Sequence, residues 1–222
     1  MTERLIAYDG AWTVVAREIV HREGLLHHCV HLLCFNDTGV FLQRRSAQRA
    51  RNPDRWTSTV SGHINTEDAL RVRTGIPDHQ QAAIALTRES IEELGVHIKT
   101  LVEATLLGKV LAVSESAHER CRCESFVFGL RIAAMPPVTT PEVAEVKLFS
   151  TREIVEGLAE RSGLRGSDGH LYAFADNFSS IFECFVLSDQ RAALLEEPAR
   201  LGEDADLLSA PPERSLGMND AH

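Results

Sequence analysis

Three glutamates, Glu89, Glu92 and Glu93, follow one another at spacings of three and four residues. In a helix these spacings place the carboxylates side by side, where their like charges destabilise the helix unless a cation lies between them. Hard divalent cations such as Mg²⁺ bind carboxylate and phosphate oxygens together. The pattern therefore indicates a metal held between the protein and a phosphorylated molecule. A solvated acidic helix face is the alternative, and for this motif alone it is the commoner explanation.

The sequence around these glutamates predicts the helix that positions them. Asp78 and Gln81 fit a capping box at its start, and Gly95 is typical of the residue after its last turn. Its apolar face is predicted to contain Ala82, Ala83, Leu86 and Ser90, with the carboxylates offset from that face.

Short apolar segments on both sides of the helix predict strands, and hence an α/β fold. An N-terminal β-hairpin is predicted around the turn Asp9-Gly10. Further strands are predicted over 29–35, 40–43, 56–60, 101–113, 124–132 and 145–149, a short helix over 154–158, and a C-terminal helical segment over 172–185.

Composition excludes several classes of function. The chain has 222 residues, 44% of them hydrophobic, and a net charge of −9, so it can bury a core but has no basic footprint for a nucleic-acid polymer. No apolar run is long enough for a membrane helix, and we expect no membrane partner. We interpret residues 1–195 as one domain and residues 196–222, which contain seven acidic residues against two arginines, as a mobile tail.

The five cysteines are an odd number in a chain of ordinary size, which favours free thiols and a cytoplasmic location. Cys121-Arg-Cys123 lacks a second cysteine pair, so we interpret these two residues as strand cysteines rather than a zinc site. The sequence leaves a homodimer open.

The segment from Arg88 to Val96, Arg-Glu-Ser-Ile-Glu-Glu-Leu-Gly-Val, resembles the second half of the box that defines Nudix hydrolases. Gln43-Arg-Arg-Ser46, Trp56 to His63 and Pro141 to Ser150 continue the resemblance, in particular to the Nudix branch related to isopentenyl-diphosphate isomerase. The resemblance implies a Nudix-type α/β/α sandwich with a mixed sheet, with a core of about 25–160, and a helical C-terminal extension.

The resemblance also implies an activity and a set of site residues. The expected activity is metal-dependent hydrolysis of a diphosphate linkage in a nucleoside-diphosphate-like or related small molecule, with Mg²⁺ or Mn²⁺ as cofactor. The implied residues are Glu89, Glu92 and Glu93 as metal ligands; Glu92, Glu93 and Glu124 as candidate catalytic groups; Arg44, Arg45 and His63 for substrate binding; and Arg88, Gly62 and Gly95 as structural support. The other arginines of this segment, Arg49, Arg51 and Arg55, are interpreted as a solvated loop.

Three departures from the family pattern keep alternatives open. Counting back from Arg88, the box glutamate position holds Gln80 and the box glycine position holds Thr74. The sequence Ser-Gly-His makes Gly62 the box glycine, which implies an insertion of about 12 residues, assigned to a loop at about 64–78, with Glu67 or Asp68 supplying the missing acid.

Two other functions follow from these departures. A Nudix-fold binding or regulatory domain without turnover is motivated by Gln80 and the insertion. Isomerase activity is disfavoured because Ser61 replaces the cysteine that carries the proton chemistry in the isomerases, and a hydroxyl is a poor acid or base near neutral pH.

Overall fold

A computed structural model of the protein describes residues 3–70, 79–95, 103–115, 120–135, 137–138, 140–160, 164–165 and 171–188. The elements within these ranges are β1 (Arg4–Tyr8), β2 (Trp12–Ala16), α1 (Arg17–Glu23), β3 (Leu26–Asn36), β4 (Gly39–Arg45), β5 (Trp56–Thr57), β6 (Val60–His63), α2 (Thr66–Leu70), α3 (His79–Leu94), β7 (Thr105–Glu115), β8 (Arg120–Arg131), β9 (Val143–Phe149), α4 (Thr151–Ala159), β10 (Leu164–Arg165), β11 (Leu171–Tyr172) and α5 (Phe178–Leu187).

The main sheet is built around β3, the long apolar strand of the sequence. Along one edge β3 pairs in parallel with β8, from Leu26 to Phe35. Along its other edge it pairs antiparallel with β1, then β6 and then β4. β2, β7, β9 and β5 extend the sheet outward through β1, β8 and β4. Because a parallel pair joins antiparallel pairs, the sheet is mixed, as the resemblance implied.

Helices pack on both faces of this sheet. Successive side chains of a strand point to opposite faces, and β3 therefore supplies both cores. Leu32 packs with Ala85 of α3 in one apolar cluster, whereas Leu33 packs with Ile154 of α4 and Phe185 of α5 in the other. The predicted α/β/α sandwich is confirmed.

The elements near the two ends of the described chain agree in part with the sequence-based predictions. Tyr8 pairs with Trp12 across the Asp9-Gly10 turn, where Gly10 has a φ of 73°, so the predicted hairpin is present. The C-terminal helix begins later than predicted, because Tyr172 belongs to β11 and Phe174 bridges to Trp56 of β5. The short helix α1 has no counterpart among the predicted elements.

The predicted acidic tail, residues 196–222, lies outside the described residues, as does the segment 71–78 of the inserted loop. The first part of that loop is described, and it forms α2. No helix in the described ranges is long and apolar enough to cross a membrane.

The packing of α5 predicts that this C-terminal helix stabilises the domain. Phe185 is fully buried against Phe35 of β3, and we expect Phe185→Ala to lower the free energy of unfolding by about 3–5 kcal/mol. Leu187, in the same helix, is 71% exposed, so Leu187→Ala is the matched control and should change stability by less than about 0.5 kcal/mol. Urea unfolding measures both. Equal effects would show that α5 does not dock as described.

Candidate active site

The second half of α3 borders a cavity of about 560 Å³. Residues of α3, β3, β6, β8 and the loop between β4 and β5 line this cavity. From the sequence-predicted set it is lined by Arg45, Gly62, His63, Arg88, Glu89 and Glu92. The fold thus brings most of the predicted site residues to one place, although they come from three separate segments of the chain.

Glu89 lies against the backbone of β6, where only glycine leaves room for it. A Cβ atom built at Gly62 would lie 1.9 Å from Cδ of the Glu89 side chain. Glu89 is 8% exposed, and this burial raises its pKa to about 8, with the charges of Glu93 and Glu92 adding to the effect and Arg88 opposing it.

Glu93, one turn further along α3, is 2% exposed and is held by two donors. Its Oε2 accepts a hydrogen bond from the backbone N–H of Ser61 at 2.8 Å and one from Nε2 of Gln43 at 2.7 Å. Burial nevertheless raises the pKa of Glu93 to about 7, because it outweighs these hydrogen bonds and the nearby Arg45. The side chain of Glu92, in contrast, is about half exposed, at 51%.

The sequence predicted the carboxylates to be offset from the buried face of the helix. That prediction is right for Glu92 and wrong for Glu89 and Glu93, which face β6 with Ala85 and Leu86. Two carboxylates that are buried and carry raised pKa values do not form a solvated acidic surface. The geometry therefore disfavours the alternative explanation of the motif.

Arg88 contacts four acceptors at once. Its guanidinium donates to Oε1 of Glu89 at 2.8 Å, to Oε2 of Glu92 at 3.0 Å, to Oδ2 of Asp68 at 2.9 Å and to the carbonyl of His63 at 2.8 Å. Partial burial lowers the pKa of Arg88, but the hydrogen bond to Asp68 and the three carboxylate charges outweigh it and raise that pKa. Arg88 thus orients the glutamates and ties α3 to β6 and α2.

Asp68 is one of the two residues, with Glu67, that the sequence offered in place of the missing box glutamate. It is the sixth residue after Gly62, the spacing of the glutamate after the glycine in the Nudix box, and its carboxylate pairs with Arg88. Asp68 is 3% exposed whereas Glu67 is exposed. We therefore propose Asp68 as the box acid, which would place the insertion between Asp68 and Arg88.

Arg44 and Arg45 are consecutive residues of β4, so their side chains point to opposite faces of the sheet. Arg45 lines the cavity, its Nε donates to the carbonyl of Arg51 at 3.0 Å, and burial lowers its pKa. Its neighbour Arg44 points elsewhere and pairs with Asp54 at 3.1 Å and Glu145 at 3.4 Å. Of the two predicted phosphate contacts, the structure brings only Arg45 to the cavity.

Two arginines interpreted from sequence as solvated also line the cavity. They are Arg49, which pairs with Glu142 at 3.0 Å, and Arg51, whose Nη2 donates to Ser114 at 3.0 Å. Sequence reasoning also missed Gln43, whose only signal was a polar residue at the end of the apolar run of β4.

His63 borders the cavity beside Gly62. Its Nδ1 lies 3.6 Å from Oε1 of Glu3, and its Nε2 lies 3.2 Å from Nε2 of His21. Burial lowers the pKa of His63 to about 4, although Glu3 opposes this. The ring is therefore neutral at pH 7.

The structure does not bring Glu124 to the glutamates of α3. Along β8, Cys121 and Cys123 face the cavity, whereas Glu124 points to the opposite face of the strand. There its carboxylate lies 3.3 Å from Nε2 of His28 and 3.4 Å from Nζ of Lys109. The residues of β8 that face the cavity are thus Cys121 and Cys123, and not the predicted catalytic residue Glu124.

Gly95 ends α3 as the sequence predicted. Its φ of 71° lies in the left-handed region that glycine adopts without steric cost, and its N–H donates to the carbonyl of Ile91 at 2.9 Å. The helix therefore ends at Leu94, which keeps Glu92 and Glu93 within its last helical turn.

Comparison with known proteins defines the family. Residues 25–167 match the NUDIX domain family, and the chain belongs to it. Its fold is similar to that of the DR0079 protein of Deinococcus radiodurans, with a TM-score of 0.56, 16% identity and coverage of 82% of this chain and 99% of that one. It is also similar to a NUDIX hydrolase from Alicyclobacillus acidocaldarius, with a TM-score of 0.51, 13% identity and coverage of 74% and 94%. No curated protein sequence matches the chain significantly.

These similarities support the superfamily and the fold. They give no specific support to the isomerase branch that the sequence resembled.

The pairing of Arg88 with Asp68 generates a prediction about the box position. We expect Asp68→Asn to lower the free energy of unfolding by about 1–3 kcal/mol, because it leaves one donor face of a partly buried guanidinium poorly paired. Glu67→Gln removes the adjacent, exposed carboxylate and should be nearly neutral. Thermal and urea unfolding compare the two variants. A larger effect of Glu67→Gln would assign the box acid to Glu67 instead.

Proposed function

We propose that the protein is a metal-dependent hydrolase that cleaves a diphosphate linkage in a small molecule. The observation that carries this proposal is the position of Glu89, Glu92 and Glu93 in the second half of α3, where Arg88 holds Glu89 and Glu92 at the edge of one cavity. Membership of the NUDIX domain family agrees with the reaction class.

The carboxylates fit a hard divalent cation such as Mg²⁺ or Mn²⁺. Their oxygen donors are of the type that these ions prefer, and the space at Gly62 is filled by the carboxylate of Glu89 rather than by a side chain. Burial has raised the pKa values of Glu89 and Glu93, so their charged forms lack a sufficient counter-charge from the protein. We assign Glu89, Glu92 and Glu93 as the ligands; a bound cation would neutralise phosphate charge and acidify a water.

Two of these glutamates are suited to different proton-transfer roles. Gln43 and the N–H of Ser61 fix the orientation of the Glu93 carboxylate, and a general base has to be positioned in this way. Glu92 is the more accessible carboxylate and reaches the cavity directly. We therefore propose Glu93 as the base, with Glu92 the alternative, and leave Glu124 out because it lies on the other face of β8.

Three arginines that line the cavity are suited to the phosphates of the substrate. Arg45, Arg49 and Arg51 come from one short segment and all line the cavity, and guanidinium groups bind phosphate oxygens in pairs. His63 lies beside Gly62 on the same cavity and is the other side chain that we propose for substrate binding. Catalysis of phosphoryl transfer depends mainly on positioning and charge stabilisation, and these side chains supply both.

The cavity offers charge rather than aromatic surface. All 13 Phe, Tyr and Trp residues of the chain belong to the described ranges, and none of them is among the residues that line the cavity. A nucleobase would therefore lack the aromatic partner on which bases commonly stack. We infer that phosphate contacts dominate recognition, and that a nucleoside portion, where present, is bound by arginine and histidine.

A binding or regulatory domain without turnover is the second candidate. Its motivation, the missing box glutamate, is weakened by Asp68, which pairs with Arg88 from the box position. We therefore place hydrolysis first.

The decisive experiment compares the wild type with Glu93→Gln on a panel of nucleotide sugars, dinucleotides, nucleoside triphosphates and prenyl diphosphates, with Mg²⁺ or Mn²⁺. We expect the variant to lose at least about 100-fold in kcat on the substrate that is cleaved, because the positioned base is removed while size and shape are kept. Glu124→Gln is the matched control and should retain activity within about threefold. Phosphate release measures both.

Two outcomes would contradict this proposal. If the wild type cleaved no member of the panel, the binding domain would be favoured. If Glu124→Gln lost as much activity as Glu93→Gln, the assignment of the base to α3 would be wrong.

The raised pKa values predict the pH dependence of Mg²⁺ binding. In the metal-free protein Glu93 and Glu89 titrate near pH 7 and 8, so below these values the cation must displace protons. We expect affinity to rise between pH 6 and 8, by about tenfold per pH unit for each proton displaced, and to level off above that range. Calorimetry in buffers of different ionisation enthalpy measures affinity and proton release. If Mg²⁺ bound through carboxylates with ordinary pKa values, its affinity would instead not change above pH 6.

A further inference from the structure

The strand β7 forms an edge of the main sheet. It pairs antiparallel with β8 along one side, and no other strand in the described ranges pairs with its second side. A bulge interrupts the pairing between Leu106 and Gly108, and from Lys109 to Glu115 the pairing is regular. The second side of this regular stretch presents backbone donors and acceptors of the kind that another strand can use, and proteins rarely leave such an edge unprotected.

Two apolar side chains of the same stretch are exposed on one face of the sheet. Leu111 is 54% exposed and Val113 is 55% exposed. Their neighbours across β8 are Glu124 and Arg122, so the apolar surface does not continue inward across the sheet. Within the sheet, an apolar neighbour can therefore be added only at the open side of β7.

Symmetry limits how a second copy of the chain could pair with this edge. When two copies of one strand pair antiparallel about a two-fold axis, opposed residues lie on the same face of the joined sheet. The axis must then pass beside a residue that is opposed to its own copy. Each possible register of the pair is therefore defined by this one central residue.

The register centred on Ala112 matches the side chains of the exposed face. It places Leu111 opposite Val113 of the second copy, and Lys109 opposite Glu115 of the second copy. Two-fold symmetry produces each of these pairs twice. Centring the pair on Leu111 instead sets Lys109 against Val113, and centring it on Val113 sets Leu111 against Glu115. Apolar pairs and oppositely charged pairs thus occur together only in the Ala112 register.

The two charged residues can exchange partners at little cost. Within one chain, Nζ of Lys109 lies 3.4 Å from Oε2 of Glu124, and Oε1 of Glu115 lies 2.8 Å from Nε of Arg120. All four side chains are substantially exposed, and ion pairs of this kind contribute little to stability. Ion pairs at a partly buried interface are screened less by salt, so the exchange favours association.

We propose that two copies of the chain associate through β7, antiparallel and centred on Ala112, to form one continuous sheet. Such a contact uses the same surface of both copies, so it protects both edges and closes at two molecules. Leu111 and Val113 share the face of Glu124 and do not line the cavity. The proposal is therefore independent of the proposed hydrolysis, and either one can fail without the other.

Charge reversal tests this register in the full-length protein. In Lys109→Glu, and equally in Glu115→Lys, like charges face each other twice across the axis. We expect each variant to self-associate at least about tenfold more weakly than the wild type. Mixing the two variants opposes unlike charges at both positions, so we expect a heterodimer with an affinity within about threefold of that of the wild type. Sedimentation over a concentration series, with one variant fluorescently labelled, measures these affinities.

Val113→Lys tests the apolar pairs, because it sets a charge against Leu111 of the second copy. We expect it to weaken the dimer at least about tenfold. Val155→Lys is the matched control, since Val155 lies in α4, outside the interface, and is similarly exposed at 52%. This control should dimerise as the wild type does.

Cross-linking adds a measurement that needs no variant to fold. Lys109 and Glu115 are about 20 Å apart along one strand, too far for a zero-length carbodiimide cross-link within one chain. In a mixture of isotope-labelled and unlabelled wild type, we expect this cross-link to join the two kinds of chain. A wild type that stays monomeric throughout the series, folded charge variants that fail to associate when mixed, or equal weakening by Val113→Lys and Val155→Lys would each overturn the proposal, as would the absence of the cross-link.

Discussion

The ion network between Arg88 and Asp68 is the constraint on which the site depends. A guanidinium that is mostly enclosed must satisfy its donors, since an unpaired buried charge costs several kcal/mol. Arg88 does so by contacting a residue from each surrounding element: Asp68 of α2, the carbonyl of His63 in β6, and the glutamates of its own helix. The same contacts fix the height of α3 above β6, and hence the position of every carboxylate.

The fixed distance between α3 and β6 explains why only glycine fits at position 62. Glu89 has no space other than that above the bare backbone of Gly62, and Glu93 reaches the N–H of Ser61 immediately beside it. Both carboxylates are buried and only Glu89 contacts Arg88, so burial outweighs the nearby positive charges and the pKa values of both rise. Buried carboxylates without a full counter-charge lower the stability of the fold, and such a cost is typical of functional sites.

The sequence predicted the parts of the site that depend on local spacing. The end of α3, the box residues around Arg88 and the hairpin at Asp9-Gly10 all follow from patterns within a few residues. The face of the sheet to which a strand residue points could not be predicted from the sequence alone, because a shift of one residue reverses it. That is why Arg45 rather than Arg44 lines the cavity, and why thiols rather than Glu124 face it.

Contacts between distant segments were beyond the sequence for another reason. The choice of Asp68 over Glu67 is made by Arg88, across an insertion whose position spacing alone cannot give. The meeting of Cys121 with His27 requires the parallel pairing of β8 with β3, which nothing local to either strand specifies. Register between strands remote in sequence is set by the whole fold.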